Sequence, residues 1–265
     1  MDTLRRHWPE YAIEAWALGM FMVSAACFGV LLNYPGSPAH EAIASADARR
    51  ALGGLAMGLT AVVLIYSPWG QRSGAHMNPA VTLTYLRLGR IRTSDAAGYI
   101  VAQFLGGTLG VVAAAALLGP ALAAPPVRYV VTQPGPLGVL PAALGEVGIS
   151  AVMMLLVLAF SSRPAVARYT GLVAGALVAT FITLEAPLSG MSMNPARSFA
   201  SAWPAGEWHA FWLYLLAPVA GMQLGSLAYP LLFRRPPTAC AKLVHGAGQR
   251  CIHCGYQPPA RGENP

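Results

Sequence analysis

Six apolar stretches punctuate the chain: Ala12–Leu32, Ala51–Tyr66, Ala96–Leu118, Val139–Phe160, Thr170–Leu184 and Ala210–Phe233. Most reach the roughly 20 residues that a helix needs to cross a bilayer core, and all exceed the about 9–11 residues of a barrel strand. Two run short, but flanking residues can extend them. The pattern predicts six transmembrane helices. The first stretch carries Glu14 and no small-residue cleavage site, so it reads as a span and not as a signal peptide.

Two further segments do not fit as spans, and they repeat each other. Ser73-Gly74-Ala75-His76-Met77-Asn78-Pro79-Ala80 recurs 116 residues later as Ser189-Gly190-Met191-Ser192-Met193-Asn194-Pro195-Ala196. Gly106, Leu109 and Gly110 recur as Gly221, Leu224 and Gly225 at an offset of 115. Each half also has one acid early in a span, Glu14 and Glu146. Three spans per half give the halves opposite orientations, an inverted repeat whose site lies at the midplane where they meet. The expected organisation is a first half-repeat (1–119), an extracellular connection (120–138), a second half-repeat (139–233) and a tail (234–265).

Asn is a favoured helix cap and Pro a favoured first helical residue. Asn-Pro-Ala therefore predicts a helix start in both copies, over about Pro79 to Leu88 and Pro195 to Trp203. Ten residues span roughly 15 Å, half a bilayer, so both helices are expected to be re-entrant. The Gly- and Ser-rich loops before them must be buried in protein or line water. Inverted symmetry brings the two positive helix ends together, which repels cations and opposes proton hopping along a water wire. The Asn78 and Asn194 amides offer N–H donors at that meeting point.

Composition agrees with a membrane protein. Only 10% of residues are charged and 55% are apolar, with mean hydropathy +0.51, against about 25% charged in a soluble domain. Disordered chains, nucleic-acid-binding domains and ordinary cytosolic enzymes are excluded. No Ser/His/Asp or paired-carboxylate arrangement argues for an enzyme. The +7 charge records topology. With the N-terminus inside, 13 of the 17 basic residues fall on the cytoplasmic side, including Arg87, Arg90 and Arg92. Both termini are expected to be cytoplasmic, in a multi-pass protein of the plasma (cell inner) membrane.

The paired segments Ser-Gly-Ala-His-Met-Asn-Pro-Ala-Val-Thr and Ser-Gly-Met-Ser-Met-Asn-Pro-Ala-Arg-Ser-Phe resemble those of the major intrinsic proteins, the aquaporins and glycerol facilitators. The resemblance covers about residues 10–233. It implies six tilted helices plus two half-helices, one pore per subunit, homotetramers and a passive channel without cofactor. By that resemblance, Asn78, Pro79 and Ala80 with Asn194, Pro195 and Ala196 form the pore centre. Arg197 narrows the outer pore, a role consistent with the insertion cost of a membrane-embedded charge, about 2.5–3.5 kcal/mol. Glu14 and Glu146 hold the two loops by accepting backbone N–H bonds. The carbonyls of Gly74, Ala75, His76, Gly190, Met191 and Ser192 form an acceptor ladder.

Counting back from the asparagines places Ile182 and Met191 in the selectivity ring with Arg197, and either Met57 or Gly58. None is aromatic or His, which departs from both water channels and glycerol facilitators of the family. Ser198, Ala202 and the pair Phe211-Trp212 lean toward water. The expected permeant is water, with glycerol, urea and metalloid acids as further candidates. The alternatives are a secondary transporter for a small solute, which also uses inverted repeats and broken helices, and a channel whose main substrate is a small neutral solute rather than water. The Gly106/Gly110, Gly171/Gly175 and Gly221/Gly225 pairs are read as helix contacts, and Gln103 and Gln223 as inter-helix hydrogen bonders.

Pro236-Pro237 ends the last helix. Beyond it the tail reads Cys240-x4-His245-x5-Cys251-x2-Cys254. Three thiolates and an imidazole are a zinc set, and one zinc can order a segment too short to build a core. His253 is the competing imidazole. Structural zinc is one reading of the tail and a disordered segment with reduced thiols the other. No cofactor is expected for transport. Lipid, water, small neutral solutes and further copies of the chain in a homotetramer are the expected partners, and nucleic acid is not.

Overall fold

The structure is a computed structural model and describes residues 2–234, 240–246 and 248–257. Eight helices carry the architecture: α1 (Asp2–Asn33), α2 (Ala46–Tyr66), α3 (Pro79–Arg87), α4 (Thr93–Leu118), α5 (Val139–Ser161), α6 (Thr170–Leu184), α7 (Pro195–Ala205) and α8 (Phe211–Phe233). Short single-turn helices join them, and the described residues include no strand. Six helices are long and apolar enough to span a bilayer, with α6 reaching 18 residues through the turn at Ala167–Tyr169. The helices α3 and α7, of 9 and 11 residues, are the two half-length elements. Pro236-Pro237, Arg235 and Arg261 lie outside the described residues.

Small residues set the helix pairs. The most intimate contacts join α1 to α4, α5 to α8 and α2 to α6. A Cβ on Gly106 would collide with the Ala15 backbone, and one on Gly221 with the Val147 carbonyl. Backbones this close gain dispersion contacts that larger side chains would hold apart. The first two pairs are equivalent by the inverted repeat, and the third joins the halves. The outer faces remain apolar: Leu55, Leu59, Val63, Val101, Leu105, Leu216 and Leu231 are exposed, as lipid-facing positions should be. The main hydrophobic cluster lies inside, around Met77, Tyr85, Tyr99, Met153, Met193 and Ala196.

One boundary differs substantially from the apolar pattern. Helix α1 extends N-terminally to Asp2, past Pro9. The added turns are polar but paired: His7 Nδ1 lies 2.7 Å from Asp95 Oδ1, and the buried Glu10 accepts from Arg72 Nε at 3.1 Å. Hydropathy cannot register a helix held by such partners.

Candidate functional site

The two half-helices start the same way. Asn78 and Asn194 are extended, with φ of −157° and −148°, and each side-chain oxygen caps its own helix. Asn78 Oδ1 accepts from Ala80 N at 2.8 Å, and Asn194 Oδ1 from Ala196 N at 3.1 Å and Arg197 N at 3.2 Å. Pro79 and Pro195 occupy the first helical position, where no N–H is missed. Each amide nitrogen then crosses to the other loop. Asn78 Nδ2 donates to Met193 O and Asn194 Nδ2 to Met77 O, both at 2.7 Å. An amide NH₂ has two donors, so this crossing leaves one N–H on each Asn. Both asparagines line the same cavity.

The preceding loops are bent by matched sets of left-handed residues: Gly74, Ala75 and Met77 in one, Gly190, Met191 and Met193 in the other. For Ala and Met this conformation costs energy, and buried acids maintain it. Glu14 accepts from Ser73 Oγ (2.7 Å), His76 N (3.0 Å), Met77 N (2.6 Å) and Gln103 Nε2 (2.8 Å). Glu146 accepts from Ser189 Oγ (2.8 Å), Ser192 N (2.6 Å) and Met193 N (2.7 Å). A second matched pair escaped the sequence reading. Tyr99 donates to Ser73 O at 2.6 Å and Tyr214 to Ser189 O at 2.5 Å. Their offset of 115 residues is that of the glycine echo, so the signal was present in the sequence.

A cavity of about 440 Å³ runs past both asparagines. Arg49, Arg50 and Asn33 line one end; Arg197, Met191, Ile182 and Met57 follow. Ala75, His76, Gly190 and Ser192 also line it. Gly58 does not line it. A Cβ there would sit 2.5 Å from Gly175 O, because Gly58 faces the α2–α6 contact while Met57 faces the lumen. Gly74 also departs from expectation: it is absent from the lining, and its carbonyl accepts from Leu243 N at 3.2 Å. Arg197 Nη1 is buried with no hydrogen-bond partner among the described residues. Gln103 bonds Glu14 and Thr82 Oγ1, and Gln223 accepts from Arg87, so both glutamines join separate helices.

The tail docks at the opposite end of this cavity from Arg49. His76 Nε2 donates to Ala241 O at 2.6 Å, and His253 Nε2 to Ser73 O at 3.1 Å. Burial lowers the His253 pKa to about 4, so the ring is neutral. Arg250 Nη2 reaches Glu10 Oε1 at 3.3 Å. Cys240, His245, Cys251 and Cys254 converge, with all four ligand atoms within 4.8 Å of one another. The Cys240–Cys251 sulfurs are 3.5 Å apart, and His245 Nε2 is 3.3 Å from Cys254 Sγ. Tetrahedral zinc with arms of about 2.3 Å (S) and 2.0–2.1 Å (N) requires separations of about 3.8 Å and 3.6 Å. These two separations therefore fit zinc to within a few tenths of an ångström, and the donor set as a whole, drawn in within 4.8 Å, is one that zinc takes. His253 belongs to the loop contact and not to this cluster.

The family description "Major intrinsic protein" matches residues 6–229. Aquaporin NIP1-2 of Oryza sativa subsp. japonica is 33% identical over 216 residues, covering 80% of this chain and 68% of its own. Aquaporin TIP4-4 of Zea mays is 37% identical over 200 residues, covering 68% of this chain and 74% of its own. Among solved structures, the aquaglyceroporin from Plasmodium falciparum superposes with a TM-score of 0.71 over 86% of this chain and 100% of that one, at 18% identity.

Proposed function

The chain belongs to the major intrinsic protein family, and from that premise we propose a passive pore whose main permeant is water and which excludes protons and ions. The reciprocal amide bonds carry the reading. Each Asn is clamped by the opposite loop, which leaves one N–H directed at the shared lumen. A passing water turns its oxygen toward those donors, so its hydrogens point away from the centre and the proton wire is broken. The positive ends of α3 and α7 add an electrostatic barrier to cations. Carbonyls of the two loops offer successive acceptors, so a water can exchange partners without a large barrier.

Arg197 with Met57, Ile182 and Met191 forms the selectivity ring. The Nη1 of Arg197 turns its two N–H donors to a permeant in an otherwise apolar constriction. That composition favours a second reading, in which small neutral solutes such as glycerol, urea or metalloid acids pass too. Coupled transport needs ionisable groups along the path; Glu14 and Glu146 are engaged by the loops, which supports a channel over a transporter. A homotetramer in the plasma membrane with cytoplasmic termini completes the proposal, and the four tail ligands hold zinc.

Stopped-flow light scattering on proteoliposomes of the full chain, with the metal chelated, tests the pore. Water permeability well above that of empty liposomes, with no dependence on an ion gradient, is expected. A rate equal to empty liposomes sinks the water reading. Flux that collapses with an ion gradient restores the transporter. Glycerol shrink–swell rates on the same vesicles decide the solute question.

A further inference from the structure

The tail does not merely lie near the pore; it fills one end of it. Leu243 is 6% exposed, lines the cavity beside His76 and Met77, and belongs to the main interior cluster. Ala241 and Lys242 beside it are also buried. The backbone of this segment satisfies groups that would otherwise face permeating water. The Ala241 carbonyl stands where a water oxygen would accept from His76 Nε2. The Leu243 N–H stands where a water hydrogen would donate to Gly74 O. The tail thus removes Gly74 from the acceptor ladder and places the Leu243 isobutyl group in the lining of that end of the lumen.

The plug tip lies between two ligands of the Cys/His cluster, Cys240 on one side and His245 on the other. Described residues of the tail form no helix or strand, so the position of Leu243 depends on its docking contacts, on the cluster and on side-chain bonds such as Lys242 Nζ to Arg250 O. A metal ion joining Cys240 and His245 to Cys251 and Cys254 would close the tail into loops and hold the tip in place. The second half of the tail supplies the anchor. Arg250 reaches Glu10, Gln249 Nε2 donates to Pro68 O at 2.8 Å, and His253 bonds Ser73 O. Lys242 and Arg250 lie alongside, and their charge offsets the net negative charge of a three-thiolate zinc centre.

We propose that zinc bound by Cys240, His245, Cys251 and Cys254 locks a plug with Leu243 at its tip into the pore end beside the first Asn-Pro-Ala loop, so that the metal-loaded chain is closed and the stripped chain is open. The inference rests on the pore reading and the zinc reading above. His245 and Cys254 are exposed, so a chelator can reach the ion.

The test uses full-length protein in proteoliposomes, with zinc content measured by mass spectrometry and water permeability by stopped flow. Three forms are compared: wild type, Leu243→Ala, and Cys251→Ser/Cys254→Ser. Zinc-loaded wild type should hold one zinc per chain and conduct little more than empty liposomes. Stripping on both faces of the vesicle should raise its permeability at least about tenfold, as for a two-state plug biased by a ligand of one state. Leu243→Ala should keep its zinc yet conduct in the loaded form. The double serine variant should lose zinc and conduct throughout. One zinc per chain with equal permeability in every form overturns the plug and leaves the zinc site standing. No zinc uptake overturns both the zinc site and the lock. No permeability in any form overturns the water reading and the plug together.

Discussion

At the scale of single residues, two buried carboxylates replace the regular structure that the re-entrant loops lack. A loop inside a membrane cannot turn its N–H groups to water, so each needs an internal acceptor. Glu146 serves Ser192 N and Met193 N, and no other acceptor is within reach of them among the described hydrogen bonds. Glu146→Ala orphans both donors at about 1–3 kcal/mol each, a loss on the order of 2–6 kcal/mol. The thermal midpoint in detergent should fall sharply, and Glu146→Gln, which keeps one oxygen, should fall less. A Glu146→Ala variant that melts with the wild type would mean that the loop is held elsewhere. Arg197 leads to a different expectation. Its removal from the ring should admit larger neutral solutes, so Arg197→Val should raise glycerol flux while water flux does not fall. Unchanged glycerol flux in that variant would place the constriction elsewhere. Glu185, at the end of α6, has its carboxyl pushed up to about 7 from an ordinary 4.5, by burial first and by the nearby Glu146 charge as well. The folded chain therefore keeps this proton to higher pH than the unfolded chain does. Its stabilising contribution is complete below pH 4.5 and is lost as pH rises through about 7. Melting across pH 5 to 8 should show a decline that Glu185→Gln flattens, and parallel profiles for the two forms would refute the assignment.

At the scale of elements, helix pairing follows from where side chains are missing. Gly106 meets the Ala15 backbone and Gly110 the Gly19 carbonyl, so α1 and α4 touch along their length. Gly106→Leu would force them apart and disturb Glu14, which sits on α1 and holds the first loop. Such overpacking costs about 1–3 kcal/mol or more. Lower yield of monodisperse protein and a reduced melting point are expected, whereas Gly148→Ala, at a position with open space, should behave as wild type. The same elements explain what the sequence revealed. Long apolar runs identify spans because lipid enforces them, so six spans were legible. The polar start of α1 was not, because Glu10 is stabilised by Arg72 and Arg250, far away in sequence. Met57 and Gly58 were indistinguishable by counting, since one residue of loop length turns a helix by about 100°. Only the packing of Gly58 on Gly175 fixes the phase. Ala241 against His76 joins residues 165 positions apart, and no periodicity within either segment encodes that contact.

At the scale of the whole molecule, the question is which way the inverted repeat faces. The structure places the tail against Glu10 and the first loop, and the 120–138 connection against the second re-entrant segment through Gly135 N–Leu188 O, Thr132–Ser198 and Arg128–Glu207. These are opposite ends of the pore. The basic residues are unevenly divided: of the 15 among the described residues, 11 belong to the segments on the tail side. A bias of that size in short loops sets orientation during insertion, because translocating each charge is costly. On that bias we propose that the tail end is the cytoplasmic end, where thiols stay reduced and available to a metal. This can be read without any flux measurement. Cys254 is exposed at the tail end, whereas Glu41 is exposed at the other. In intact cells pretreated with chelator, a membrane-impermeant maleimide should leave the wild type unlabelled and label Glu41→Cys. Once the membrane is opened, both should react. Labelling of the wild type in intact cells would invert the topology and put the plug, its cluster and the metal that closes it on the external face.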